Sequence, residues 1–432
     1  MFVSGINKSI KNIEKKNHRN KINKKIKNII SINNKKTSPI SNDIIKDFLN
    51  KNLNTYKILS DMKLYIKYIN NYFDKIYSTY NKKYNILDIK NIIKLLDDKY
   101  YKPYNIDKNK RLSYKLLELT ILKNYTIKIN KRDKIKIENI EKDRRYNDIY
   151  TMYKKTLFFL KKNKIKVPVS TVYIFISDRY LYELDIENIK FPFFTIATPN
   201  NKYYPLIPDN TFECFSFKKR FSEECLDWDD SKKIIKKNLK NIESNKLYFK
   251  GKNTSDKRTN IRKYFEQYQN KDTMKISLEP SKNYEPMYNF SKYKYLLDLP
   301  GNYEWSNRFP RLFLMNRVVF KVTNTVKKYD EGNFITFTDL FTRKNKHYIE
   351  LNDVLTDENK DENIPIIKKN IKKIDKYMDK LNKDDEKYKR ISNSGYKLMN
   401  ELSNKHIYIY IYISLLYNKK YLDGRASCRE RV

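Results

Sequence analysis

The sequence predicts an α/β protein of two domains facing a cleft, with an extra helical region at its N-terminus. Three observations carry this. A chain of 432 residues has room for two domains and a sizeable core. A nearly continuous β-branched and aromatic run, Thr171 to Ile176, reads as a strand buried on both faces. Further on, Lys292 to Leu299 reads as a strand, Ser306 to Asn316 as a helix and Arg317 to Val322 as a strand. That succession is one βαβ crossover.

In chain order, residues 1–40 form a basic Lys/Asn/Ile-rich extension, disordered or helical. Ile22, Ile26, Ile29 and Ile30 would share one helical face. Residues 41–243 read as the first domain. Apolar residues from Ile44 to Phe73 recur at helical spacing and predict two helices, and Ile86 to Leu96 a third. Thr126 to Ile129 and Ile135 to Ile137 alternate like short strands. Tyr146 to Lys162 reads as a helix, Phe191 to Ile196 as a strand and Asp227 to Asn241 as a charged helix that joins the halves near Glu243.

Residues 244–422 read as the second domain. The apolar run Leu247-Tyr248-Phe249 leads into Lys250-Gly251-Lys252-Asn253-Thr254-Ser255, then a helix. A strand that ends in a Gly-bearing loop and restarts as a helix has the form of a phosphate site. Gly251 permits close backbone approach, and Thr254, Ser255 or Asp256 can cap the helix whose free N–H groups attract anions. Ile261, Tyr264, Phe265 and Tyr268 share a face, which leaves Arg258 and Arg262 on the outward one. Pro310 falls in the first turn of the next helix, where a missing N–H costs least. Asn363 to Leu402 is amphipathic, with Gly395 read as a turn between helices. Residues 423–432 depart in composition and read as a non-native tail, so Cys428 is set aside.

The net charge of +41 suggests nucleic acid first. Lys, Asn, Ile and Tyr dominate against two Ala, a bias that an AT-rich genome produces by itself. The charge is spread along the chain, so a solvated Lys surface is the plainer reading and no specific nucleic acid is expected. A basic protein whose 38 Tyr stack on bases is the rival from another class. Cys214, Cys225 and Cys428, with His18, His347 and His406, lack ligand spacing, so no metal site is expected. No run reaches the roughly 18 apolar residues of a membrane span. No apolar leader opens the chain, which makes the expected location cytoplasmic.

The runs LYFKGKNTSDKR and KYKYLLDLPGNYEWSNRFPRLFL, with the later His347-Tyr348, resemble the family-90 glycosyltransferases. These are the Rumi-type protein O-glucosyltransferases and the fungal capsule-associated proteins. The resemblance spans roughly Tyr173 to Gly395. It implies a GT-B fold of two Rossmann-like domains, a UDP-sugar donor, inversion at the sugar carbon, no cofactor, no catalytic metal, and a protein or glycan hydroxyl as acceptor. Glucose or xylose is the sugar it implies. A catalytically inactive relative that binds glycans or a partner is a third reading.

The resemblance implies Asp178, just past the first strand, as general base; a helix cap or turn residue is the plain alternative. It brings Gly251, Lys252, Thr254, Ser255, Arg258, Tyr303, Trp305, Ser306 and Arg308 to the donor, with Thr211 and Phe212 on a segment that closes over it. Arg308 and Arg258 would stabilise the leaving diphosphate. Tyr303 and Trp305 would pack on uracil or sugar, or simply fill the loop. The chain departs from the family at Ser177 and Lys252, and at Lys344 and Asn345, which replace a Pro-Trp pair. His347 is read as structural rather than catalytic.

Overall fold

The computed structural model describes residues 58–83, 116–129, 144–165, 167, 170–175, 194–199, 205–208, 216–217, 225–226, 228–239, 242–251, 261–278, 285–300, 308–324, 334–353 and 360–416. They form a mixed α/β fold around a parallel sheet flanked by helices.

On the N-terminal side, α1 (Leu59–Lys83) and α2 (Arg144–Lys162) accompany a four-stranded sheet. Its strands are β1 (Leu116–Ile121), β2 (Ile127–Ile129), β3 (Ser170–Phe175) and β4 (Phe194–Thr195), in the order β2-β1-β3-β4. The apolar run at Thr171 is a strand, as its composition predicts. Its partners differ from a parallel sheet, however: β3 runs antiparallel to β1 along its whole length and parallel only to the short β4. Tyr125, at φ 62, turns β1 into β2. β5 (Ala197–Pro199) leaves this sheet for an antiparallel pair with β12 (Phe334–Thr336), and β6 (Ser216–Phe217) pairs with β7 (Cys225–Leu226). The charged joining segment forms α3 (Trp228–Asn238).

The second sheet holds β8 (Ser244–Gly251), β9 (Met274–Leu278), β10 (Tyr293–Asp298), β11 (Val318–Asn324) and β13 (Ile349–Asp353), all parallel, in the order β13-β11-β10-β8-β9. The chain goes from β8 through α4 (Ile261–Tyr268) to β9 on one side, then crosses to β10 on the other side of β8. It continues through α5 (Phe309–Phe313) to β11 and onward to β13. The direction of winding therefore reverses between β8 and β10. In doubly wound sheets the crevice at such a reversal, outside the carboxyl ends of the strands, is where ligands sit.

Both faces of this sheet are covered, which explains why its strands read as unbroken apolar runs. Leu247, Phe249, Tyr295, Leu297, Val318 and Phe320 face one core with α4, α6 (Lys360–Lys383) and α7 (Asp385–Leu402). Tyr248, Leu296 and Val319 point to the other face, into a core that continues through α5 and α8 (Lys405–Leu416) to α1, α2 and the mixed sheet. α8 is apolar all round, and Ile407 to Leu416 are all buried, as expected of a helix inside a core. Its Tyr412 ring lies 4.3 Å from that of Tyr153 on α2. Among the described residues, no helix is long and apolar enough to cross a membrane.

Gly395 corrects one expectation: it lies inside α7 rather than in a turn between helices. A Cβ there would meet Phe313 Cδ1 at 2.6 Å and the His347 carbonyl oxygen at 2.9 Å. Close approach of α7 to α5 and to the segment before β13 is what demands glycine.

Candidate functional site

Two of the expected site residues, Gly251 and Arg308, are among the described ones, and the fold brings them into contact. Gly251 ends β8, on one side of the winding reversal. Arg308 precedes α5, on the connection that leaves β10 on the other side. A Cβ on Gly251 would stand 2.7 Å from Arg308 Nη2 and 3.2 Å from the ring of Phe249. A side chain at this position would push the guanidinium aside. Pro310 at the start of α5 is compatible with helical φ and leaves no N–H there to satisfy, so α5 begins right after Arg308. Asn316, at φ 48, ends the turn, a conformation Asn tolerates better than most residues.

The Arg308 guanidinium lies over the ring of Phe249, 4.3 Å from its centroid. Arg262, in the first turn of α4, lies 5.6 Å from the same centroid. The amphipathic pattern of α4 sends Arg262 outward; the structure turns it inward, to 6% exposure. The physical reason is its place at the strand ends, where the first turn of α4 meets the segment leaving β10. Arg262 Nε–H donates to the Pro300 carbonyl at 2.9 Å. Burial pushes its pKa down to about 9, the neighbouring Arg308 charge adds to this, and Asp298 opposes it. The group stays charged at neutral pH. Asp298, 2% exposed, ends β10.

Among the described residues, two guanidinium groups and one carboxylate thus share the reversal point, with a net positive charge beside Gly251. Chemically this suits a bound anion. The other expected site residues, Asp178, Thr211, Phe212, Lys252, Thr254, Ser255, Arg258, Tyr303, Trp305 and Ser306, lie outside the described residues.

No family model matches the chain, and no curated protein matches it.

Away from this point, His347 has a structural setting. It is 6% exposed, and its Nδ1 accepts from the Arg343 backbone N–H at 2.9 Å. Burial, then the nearby Lys346 and Arg343 charges, push its pKa down to about 4. The turn that carries Lys344 and Asn345 closes without a Pro-Trp pair: Asn345 takes φ 60 and its N–H donates to the Tyr348 carbonyl at 2.7 Å. Among the described residues, no group of three or more His, Cys, Asp or Glu is placed to hold a metal.

Sequence reasoning missed Arg262 and Asp298 as members of the cluster. The signal for Asp298 was present: a carboxylate closing the apolar run Tyr295-Leu296-Leu297 stands where α/β proteins put functional groups. For Arg262 there was no such signal, because a helical wheel says nothing about what faces the first turn of a helix at a strand end.

Proposed function

We propose that this chain is an inverting glycosyltransferase of GT-B architecture that moves glucose or xylose from a UDP-sugar to a hydroxyl of a protein or glycan acceptor. The observation that carries the reading is the contact of Arg308 with Gly251 at the winding reversal of the parallel sheet. Two segments that resemble the family's donor-binding runs, 57 positions apart in sequence, converge there. The return of α8 onto α2, at the N-terminal side, also supports a fold whose last helix packs back on its first half.

In this reading Asp178 takes the acceptor proton as the hydroxyl oxygen attacks the anomeric carbon. The bond from that carbon to the UDP oxygen breaks from the opposite face, which inverts the centre. Negative charge grows on the departing diphosphate, and Arg308 meets it with a fixed fork of donors in a partly desolvated site. Phe249 holds that fork by its ring face, so little reorganisation is needed when the charge develops.

The test is a thermal-shift screen of the full chain against UDP, UDP-glucose and UDP-xylose. A ligand at about 100 times its Kd stabilises by about 2.7 kcal/mol, which a melt resolves. A raised melting temperature with UDP and one UDP-sugar is expected. No shift with any of the three at millimolar concentration contradicts the reading.

A further inference from the structure

We propose that Arg262 is a positioning residue of the anion site: across the ring of Phe249, it fixes the segment after β10 and adds its charge to that of Arg308, so that the site takes a diphosphate. This rests on reading the winding reversal as the site of the donor's diphosphate.

Three features support it. Arg262 ties two elements across the reversal, since it sits on α4, which follows β8, and donates to Pro300, which follows β10. It shares the Phe249 ring with Arg308, at 5.6 Å and 4.3 Å from the centroid. And it is charged where a neutral donor would serve. A Gln amide could hold the Pro300 carbonyl without desolvating a guanidinium and without repelling Arg308. Asp298 offsets part of that repulsion, and among the described residues two cations against one carboxylate leave the cluster positive. That net charge of about +1 favours an anion, such as a diphosphate, over a neutral sugar.

The experiment is calorimetric titration of the full chain with inorganic pyrophosphate, with a thermal melt on each variant. Arg262→Gln keeps a donor and removes the charge; its pyrophosphate affinity is expected to fall about tenfold or more, the scale of one charge-assisted contact. Arg262→Lys keeps the charge without the Nε–H and is expected to lose about threefold. Unchanged affinity in Arg262→Gln overturns the proposal, even if its melting temperature falls, since that is the signature of a purely structural role. Where Arg262→Gln does not fold, unchanged affinity in Arg262→Lys overturns it. Wild-type protein that binds pyrophosphate but no UDP-sugar contradicts the glycosyltransferase reading and leaves Arg262 in its role. Wild-type protein that binds UDP but no pyrophosphate overturns the role of Arg262 and leaves the glycosyltransferase reading standing, and wild-type protein that binds neither overturns both.

Discussion

Replacing Gly251 with Ala separates the site from the fold. The backbone at Gly251 is not in the left-handed region, so Ala fits its conformation. The new Cβ would fall 2.7 Å from Arg308 Nη2 and 3.2 Å from Phe249 Cε1 and Cζ. Phe249 is fully buried in the core, whereas the Arg308 guanidinium ends a longer side chain that is only half-buried. The guanidinium therefore gives way, by about 0.7 Å to reach ordinary contact at 3.4 Å. The cost to stability is the weakening of one ring contact, about 1 kcal/mol, partly offset by the stiffer unfolded chain. The cost to binding is larger, because a displaced fork no longer meets a phosphate squarely. UDP affinity is expected to fall about tenfold, equivalent to about 1.4 kcal/mol. Calorimetric titration with UDP and a thermal melt on the same preparation read the two effects apart. A variant with wild-type UDP affinity refutes the claim that Gly251 serves the guanidinium. A large drop in melting temperature with unchanged affinity would make it a packing glycine instead.

Gly395→Ala is expected to destabilise by about 1–3 kcal/mol in denaturant melts, although Ala is the better helix former, because Phe313 and a backbone oxygen block the Cβ; a stabilised variant contradicts that packing. His347 has a folded-state pKa near 4, below the ordinary His value, so the unfolded chain binds more protons between pH 4 and about 6.5. Its contribution to stability is complete above about pH 6.5 and is lost as pH falls towards 4. The loss should be roughly 2 kcal/mol after allowance for screening. His347→Gln should flatten the acid side of a stability–pH curve relative to wild type and leave the like-signed effect of His406; an identical curve refutes the assignment. Asp178→Asn is expected to lower turnover by about 10²–10⁴-fold with UDP affinity unchanged; intact turnover removes Asp178 from the base role.

Three of the five parallel strands, β8, β10 and β11, were legible because each carries its own local signal, while β9 and β13 were not read from the sequence. The aromatic and branched run at Tyr295 to Leu297 forms β10, and Pro310 fixed where α5 could start. The meeting of Gly251 and Arg308 was legible only in part: Gly251 ends β8, but Arg308 opens α5 ten residues after β10 ends, and the sequence does not show that β8 and β10 are neighbours. Strand partners were less legible. The Thr171 run looks the same whether its neighbour is parallel or antiparallel, and β1, its antiparallel partner, has only a short mixed pattern. Gly395 was misplaced because a glycine in a helix and a glycine in a turn carry the same letter, and only the approach of Phe313 tells them apart. Arg262 was sent outward for a similar reason: periodicity assigns a face, while the strand ends beside α4 decide what that face meets.

The central claim is that the reversal between β8 and β10 holds the diphosphate of a UDP-sugar through Arg308. Calorimetric titration of UDP into wild type, Arg308→Lys and Arg308→Ala tests it most directly. One site per chain is expected in wild type, partial affinity in Arg308→Lys because the planar fork is lost, and at least a tenfold loss in a folded Arg308→Ala. Equal UDP affinity in wild type and Arg308→Ala would contradict the claim.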